Sequence, residues 1–379
     1  MKRILHVTGI IAAVLFGILS FGFIDPHLSL PFPSYTGQIE ALLRHAVYRQ
    51  SPGVALLFAG LMIIWYAAYA SVLRDKAAEK IRKIHRWIFL LFSIGIFSFP
   101  ALSYDIFNYI ATAKVTYQYK ENPYVVMPIE IPNEPMLSFT RAANKLALYG
   151  PVWIALTGIP HALGNSHIFL AIFSFKLFAG ISYAVICWLI YKKTKRWDQV
   201  LFFAANPLIV TELLINGHND GTMMALAIGS LVLWDRKGVP VKIVAVLLFI
   251  ASILIKGATV ALLPLFFLPK LSIDKKYRYA FWLMVGVFLM SPLREEMYPW
   301  YAVWFISIAA CIPRTDRSFI HGLVFWASLG LLARYIPWIA TREYGGITPI
   351  ARVILTATPL IIYGLSTIFG SRIFPKKRL

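Results

Sequence analysis

Apolar runs closed by polar or basic residues recur along the whole chain, and they predict helix after helix. They lie at 4–24, 53–73, 87–103, 168–191, 199–216, 221–234, 241–256, 257–269, 279–292, 299–312, 318–334 and 347–369. A membrane-crossing helix needs about twenty apolar residues. The pattern therefore predicts an all-α, polytopic membrane protein with about 12 transmembrane helices. The runs at 221–234 and 257–269 are short, and would have to tilt at their charged ends or sit among neighbours. Residues 149–163 are apolar as well, but only about a dozen residues separate the flanking prolines. This segment is expected to be a helix lying in, or re-entering, the outer membrane interface.

Composition agrees with that class. The 379 residues are 59% hydrophobic and 14% charged, with a mean hydropathy of +0.69. A soluble domain carries about 25% charged residues. There is no clear internal repeat, low-complexity tract or soluble domain, so 1–379 reads as one integral unit. The opening basic pair, Lys2 and Arg3, precedes a run too long for a signal-peptide core and without a small-x-small cleavage site. It reads as an uncleaved first span. Cys187 and Cys311 stand far apart in apolar surroundings and imply neither a disulfide framework nor a metal site.

The net charge of +20 changes meaning once it is located. With both termini cytoplasmic, alternate connections collect 25 of the 37 Lys and Arg residues, in clusters such as Arg74–Arg86, Lys192–Arg196, Arg236–Lys242 and Lys270–Arg278. The other connections are nearly neutral. This is the positive-inside signature of a plasma-membrane protein, and it argues against a nucleic-acid partner.

The neutral side holds the candidate chemistry. Asp105 stands where the run 87–103 ends, and the long polar excursion 104–167 follows it. Asp105, Asn108, Tyr109 and Thr112 are spaced to share one face of a helix. An acid at the edge of hydrocarbon is costly unless it is used or paired, although a helix N-terminus also favours an acid there. The loop segments Lys120-Glu-Asn-Pro-Tyr124 and Met127-Pro-Ile-Glu-Ile-Pro-Asn-Glu-Pro135 read as extended and turn-rich, with solvated acids. A second cluster runs from Asn206-Pro to Gly217-His-Asn-Asp220. In it Glu212 is a catalytic-side acid or a structural one paired with an interior lysine. His218, Asn219 and Asp220 form a polar knot suited to shaping a sugar pocket, and two ligands two residues apart are weak grounds for a metal. Lys176, Lys256, Arg294, Arg334, Arg342 and Arg352 are expected near the same face, where one or two could bind a phosphate. Tyr298-Pro-Trp-Tyr301 and Arg334-Tyr-Ile-Pro-Trp338 offer aromatic faces for sugars, or belong to an interfacial aromatic belt.

Ser103-Tyr-Asp-Ile-Phe-Asn-Tyr109, Asn122-Pro-Tyr124, Tyr149-Gly-Pro-Val-Trp153, Asn206-Pro and Gly217-His-Asn-Asp220, in that order, resemble the polyprenol-phosphate-mannose-dependent mannosyltransferases of the integral-membrane class C glycosyltransferases. The resemblance spans about 85–370 and leaves two additional helices in 1–80. It implies that Asp105, in the first large external loop, is the catalytic base, and that the loop carries membrane-parallel helices. It further implies a polyprenyl-phosphate hexose, mannose first, as donor and a lipid or glycan as acceptor, at the extracytoplasmic face. Asn108, Tyr109, Tyr149, Glu212, His218, Asn219, Asp220, Lys256, Arg294, Tyr298, Trp300 and Arg334 are the expected substrate-binding set, with no cofactor and no metal. A single essential carboxylate would imply single-step inversion. The competing readings are a lipid-linked sugar flippase or secondary transporter, for which paired repeats are missing, and an envelope scaffold, which leaves the acids without a use.

Overall fold

A computed structural model describes residues 2–23, 38, 41–42, 45–47, 51–74, 81–164, 167–268, 271–313 and 319–373. Several of the basic residues counted above (Lys76, Lys80, Lys270, Arg314, Arg317, Lys376, Lys377 and Arg378) lie outside them. The described residues contain helices and no strand. In lipid this is the expected economy, because a helix satisfies its own backbone hydrogen bonds.

The helices are α1 (Lys2–Gly22), α2 (Ser51–Arg74), α3 (Ile81–Phe97), α4 (Asp105–Ala113), α5 (Pro151–Gly164), α6 (Ile168–Thr194) and α7 (Trp197–Ala204). Then come α8 (Pro207–Ile215), α9 (Asp220–Trp234), α10 (Val239–Ile253), a 3-10 helix (Gly257–Phe266) and α11 (Ile273–Met290). The chain ends with α12 (Ala302–Ala309), α13 (Phe319–Ala333), α14 (Ile336–Thr341) and α15 (Thr348–Ile373).

Each of the twelve apolar runs becomes a helix or a closely joined pair, but most fall short of a full crossing. Among the described residues four are long and apolar enough to span a membrane: Ser51–Arg74, Ile168–Thr194, Phe319–Thr341 and Thr348–Phe369. The pair α7–α8 makes five if counted as one bent span. The surface is apolar where lipid would meet it, with Leu56, Val353 and Ile361 exposed on α2 and α15. The polar residues of the central helices are buried instead.

Two local features shape the site. At Asn206-Pro207 the missing proline N–H and the steric limit on the preceding residue stop α7, and the chain resumes at 55°. Asn206 accepts the Leu208 N–H at 3.0 Å, capping the new start. The chain then passes through a π-turn at Val210–Ile215. It leaves that turn at Gly217, whose φ of +74° is open to glycine at little cost. Gly95 lets α3 lie against this segment, since a Cβ there would come 2.4 Å from Leu214 Cβ.

Helices carry the chain back and forth between two sets of connections. Residues 98–105, 216–220, 254–256, 294–301 and 334–335 meet one another through direct contacts. At the other ends, Lys193 approaches Asp274 at 3.9 Å and Lys276 donates to Asp235 at 2.7 Å.

The excursion 104–167 is folded down on this first set. Its segments are α4, a π-turn (Lys114–Gln118), short 3-10 helices (Pro128–Glu130 and Pro135–Phe139) and α5. The sequence predicts solvated acids throughout this loop, but Glu134 is buried. Glu134 pairs with Lys114 at 2.6 Å and accepts from Tyr119 and from the Met136 N–H. Burial pushes this carboxyl up, but the Lys114, Tyr119 and Met136 contacts outweigh it and hold it below the usual carboxylate range. The loop thus hides a charge pair that ties it to the turn following α4.

Candidate functional site

α4 begins at Asp105, whose N–H donates to Ser103 Oγ at 3.2 Å. The carboxylate is 23% exposed, and Oδ2 lies 3.5 Å from His218 Nδ1. His218 is fully buried, and its other nitrogen, Nε2, is 3.3 Å from Glu212 Oε2. Both distances are longer than a well-aligned hydrogen bond. Glu212, also fully buried, accepts from Asn216 Nδ2 at 2.9 Å and from the Tyr335 hydroxyl at 2.9 Å. Its partners are thus histidine, asparagine and tyrosine. The interior-lysine alternative is not what forms: buried Lys176 donates to the Ser98 carbonyl instead.

His218 sits in the connection between α8 and α9, facing a carboxylate on each side. The doubly protonated ring, with a donor at each nitrogen, is the form that suits such a position. Burial pushes its pKa down, but Asp105 and Glu212 outweigh that penalty and hold it up at about 9. One face is covered by Trp300, stacked at 4.2 Å between centroids. Tyr298 stacks in turn on Trp300 at 4.4 Å. These aromatics form the wall of the carboxylate cluster.

Asp220 anchors a second group one helix start away. It is fully buried, and takes Lys256 Nζ on both oxygens at 3.1 and 3.2 Å and Trp304 Nε1 at 2.5 Å. Lys256 also lies over the Tyr301 ring at 4.4 Å. The residue is placed by the kink after α10, where Gly150 and Val152 donate to the carbonyls of Ile255 and Leu254. The start of α5 is thereby pinned to the turn that carries Lys256.

Tyr109 joins the two groups. Its hydroxyl accepts the Asn219 N–H at 3.3 Å, and its ring packs edge-on against Tyr149 and Trp153. Asn108 holds the outer loop down by accepting the Ala142 N–H at 3.3 Å. The helical face read from the spacing of Asp105, Asn108, Tyr109 and Thr112 therefore exists, with its last three members buried.

A third group lies at the rim. Arg334 and Arg352 both donate to Glu296 Oε1, at 2.6 and 3.0 Å. Arg294 does not join it. That side chain is 87% exposed, and the ion pair it makes is with its neighbour Glu295, at 4.0 Å. It stands just past the 3-10 turn Ser291–Leu293. Among the described residues, no group of three or more His, Cys, Asp or Glu side chains is arranged to hold a metal ion.

Sequence reasoning missed Trp304, Glu296 and the bond from Tyr335 to Glu212. All three residues come from the C-terminal third: Trp304 from an apolar helix, Tyr335 from an aromatic group read only as a sugar-stacking or belt surface, and Glu296 from an irregular turn. Glu296 carried the one visible signal, an acid among basic residues on a face expected to bind anions.

Comparison with known proteins follows the same geography. No characterised protein and no solved structure matches the chain. A family model does match, the MptA_B family described as alpha-(1->6)-mannopyranosyltransferase, N-terminal domain, over residues 6–270. That range is more than two-thirds of the chain and includes Asp105, Glu212, His218, Asp220 and Lys256. The chain thus belongs to the alpha-(1->6)-mannopyranosyltransferase family and is a membrane glycosyltransferase.

Proposed function

We propose that this protein transfers mannose from a polyprenyl-phosphate donor to a hydroxyl of a lipid or glycan acceptor at the extracytoplasmic face, with Asp105 as general base. The observation that carries this reading is the exposure gradient in the cluster. Glu212 and Asp220 are fully buried, and Asp105 alone of the three carboxylates reaches solvent. It is the one an acceptor hydroxyl can approach.

The chemistry needs little else. A polyprenyl phosphate is a good leaving group, so one base can suffice. The acceptor oxygen attacks the anomeric carbon, its proton passes to Asp105, and the bond to the phosphate oxygen breaks with the electron pair leaving on phosphate. The step inverts the anomeric carbon. An α-linked product, as the family description names, would then require a β-linked donor.

His218 has a positioning role in this scheme. A cation placed between two carboxylates attracts both and fixes their separation. An imidazolium between Asp105 and Glu212 holds the Asp105 carboxylate aimed before the acceptor arrives. Cations at the rim offset charge developing on the departing phosphate.

The test is transfer by purified protein. Radiolabelled polyprenyl-phosphate mannose, offered with membrane lipid and glycan acceptors, should give a labelled product, and the glucose-bearing donor much less. Labelled product from a nucleotide sugar alone would overturn the donor assignment.

A further inference from the structure

Arg334 and Arg352 reach the rim from different helices: one just past the end of α13, the other inside α15. Their side chains are only 11% and 12% exposed. Two guanidinium groups so well covered need an anion between them, and the protein supplies one from within. Both converge on a single oxygen, Glu296 Oε1. The arrangement is lopsided. Two positive charges meet one negative charge, and neither contact takes Oε2. Arg352 Nε is buried without a hydrogen-bond partner among the described residues.

The glutamate is also the most exposed member, at 38%. It stands on an irregular turn between Leu293 and Pro299, in neither helix nor strand. That turn leads straight into Tyr298 and Trp300, and so to His218 and Asp105. Tyr335, next to Arg334, reaches Glu212 from the other side. The arginine pair is therefore built into the wall of the carboxylate cluster.

We propose that Glu296 is an internal stand-in for the donor's phosphodiester, which displaces it from Arg334 and Arg352 on binding. This rests on the donor reading above. A phosphodiester has two free oxygens, so it can give each guanidinium its own acceptor, where Glu296 offers both the same one. The stand-in holds two covered cations in place while the site is empty, and its own side chain, the most exposed of the three, has solvent to turn into. Donor affinity is lowered by the fraction of molecules with Glu296 in place.

The consequence runs against the usual effect of deleting an ion pair. Glu296→Gln keeps shape and loses the competing charge. It should bind polyprenyl phosphate more tightly, on the order of 3- to 10-fold, and lower the donor KM accordingly. Arg334→Ala and Arg352→Ala should weaken both. Binding of polyprenyl phosphate to detergent-purified full-length protein, with phosphatidylglycerol as a second anionic lipid, reads this directly. Glu296→Ala serves as the parallel variant if the glutamine form does not accumulate.

Tighter binding of polyprenyl phosphate by either variant, without the same gain for phosphatidylglycerol, supports the proposal. Unchanged or weaker binding overturns it, and an equal gain for both lipids overturns the donor assignment of the site. If wild-type protein transfers no sugar from any polyprenyl phosphate, the donor reading itself fails. If it does transfer, and Glu296→Gln gains nothing, only the role of Glu296 falls.

Discussion

Tyr335 donates its hydroxyl to Glu212 at 2.9 Å, joining residues 123 positions apart in a fully buried pair. Glu212 has no solvent to fall back on, so each donor around it matters. Tyr335→Phe keeps the ring and removes one O–H. The loss of a donor to a buried charged acceptor should cost about 1–3 kcal/mol. It should appear as a lower melting temperature in detergent, with Glu212→Gln costing more because His218 then loses one of its two anions. A Tyr335→Phe protein as stable as wild type would show that the bond contributes nothing.

Asp105→Asn tests the base. Asparagine keeps the shape and cannot take a proton at neutral pH. Transfer should fall by about 10²–10⁴-fold while the protein still inserts and binds donor. Near-normal turnover would remove Asp105 from the chemistry. Loss of the protein from the membrane would make it structural.

His218 gives the site a pH signature. Its folded pKa of about 9 lies above the ordinary 6.5. A group raised in this way stabilises the fold fully below about pH 6.5, and that contribution is lost as pH rises through about 9. The facing groups are Asp105, Glu212 and the Trp300 ring. Thermal stability should decline between pH 6.5 and 9 in the wild type, and less steeply in His218→Gln. Activity should fall in the same window as Asp105 loses its cationic neighbour. Parallel slopes for both proteins would mean that His218 is already neutral.

Much of this arrangement could be read in the sequence, and the unreadable part has a physical reason. Asp105, Asn108 and Tyr109 announce themselves by helical spacing, and Gly217-His-Asn-Asp220 by a dense polar run after an apolar one. The break at Asn206-Pro207 follows from backbone sterics. Pairings were not legible. That Glu212 would meet Tyr335 rather than a lysine, or that Glu134 would be buried on Lys114, depends on packing between distant segments. The exposure of Arg294 was equally illegible, because basic character at a helix end does not say which way a side chain turns. Run length also overstated crossing length, since several apolar runs are 10–17-residue helices packed among others.

Asp220 should organise the pocket rather than react. Both its oxygens are taken by Lys256, and Oδ1 also by Trp304. Asp220→Asn leaves Lys256 beside a neutral amide, and breaking such a covered pair costs about 3–5 kcal/mol when burial is complete. Lys256 is 23% exposed, which places the expectation at the low end. Activity should fall less than in Asp105→Asn, with part of it recovered in the double variant Asp220→Asn/Lys256→Met, where no lone charge remains. A loss as deep as that of Asp105→Asn, with stability intact, would move the base to Asp220.

Topology is tested from outside the cell. The clusters around Lys193 and Lys276 lie at the helix ends away from the carboxylates, and the excess of basic residues there predicts a cytoplasmic face. Ser138 is exposed in the loop over α4, and Lys237 is exposed in the turn between α9 and α10. In intact cells an impermeant thiol reagent should label Ser138→Cys and spare Lys237→Cys, with both labelled after the membrane is opened. Cys187 and Cys311 are replaced first, so that only the introduced thiol reports. Labelling of Lys237→Cys from outside would put the basic clusters and the carboxylate cluster on the wrong sides. The proposed reaction would then face the cytoplasm, where nucleotide sugars compete as donors.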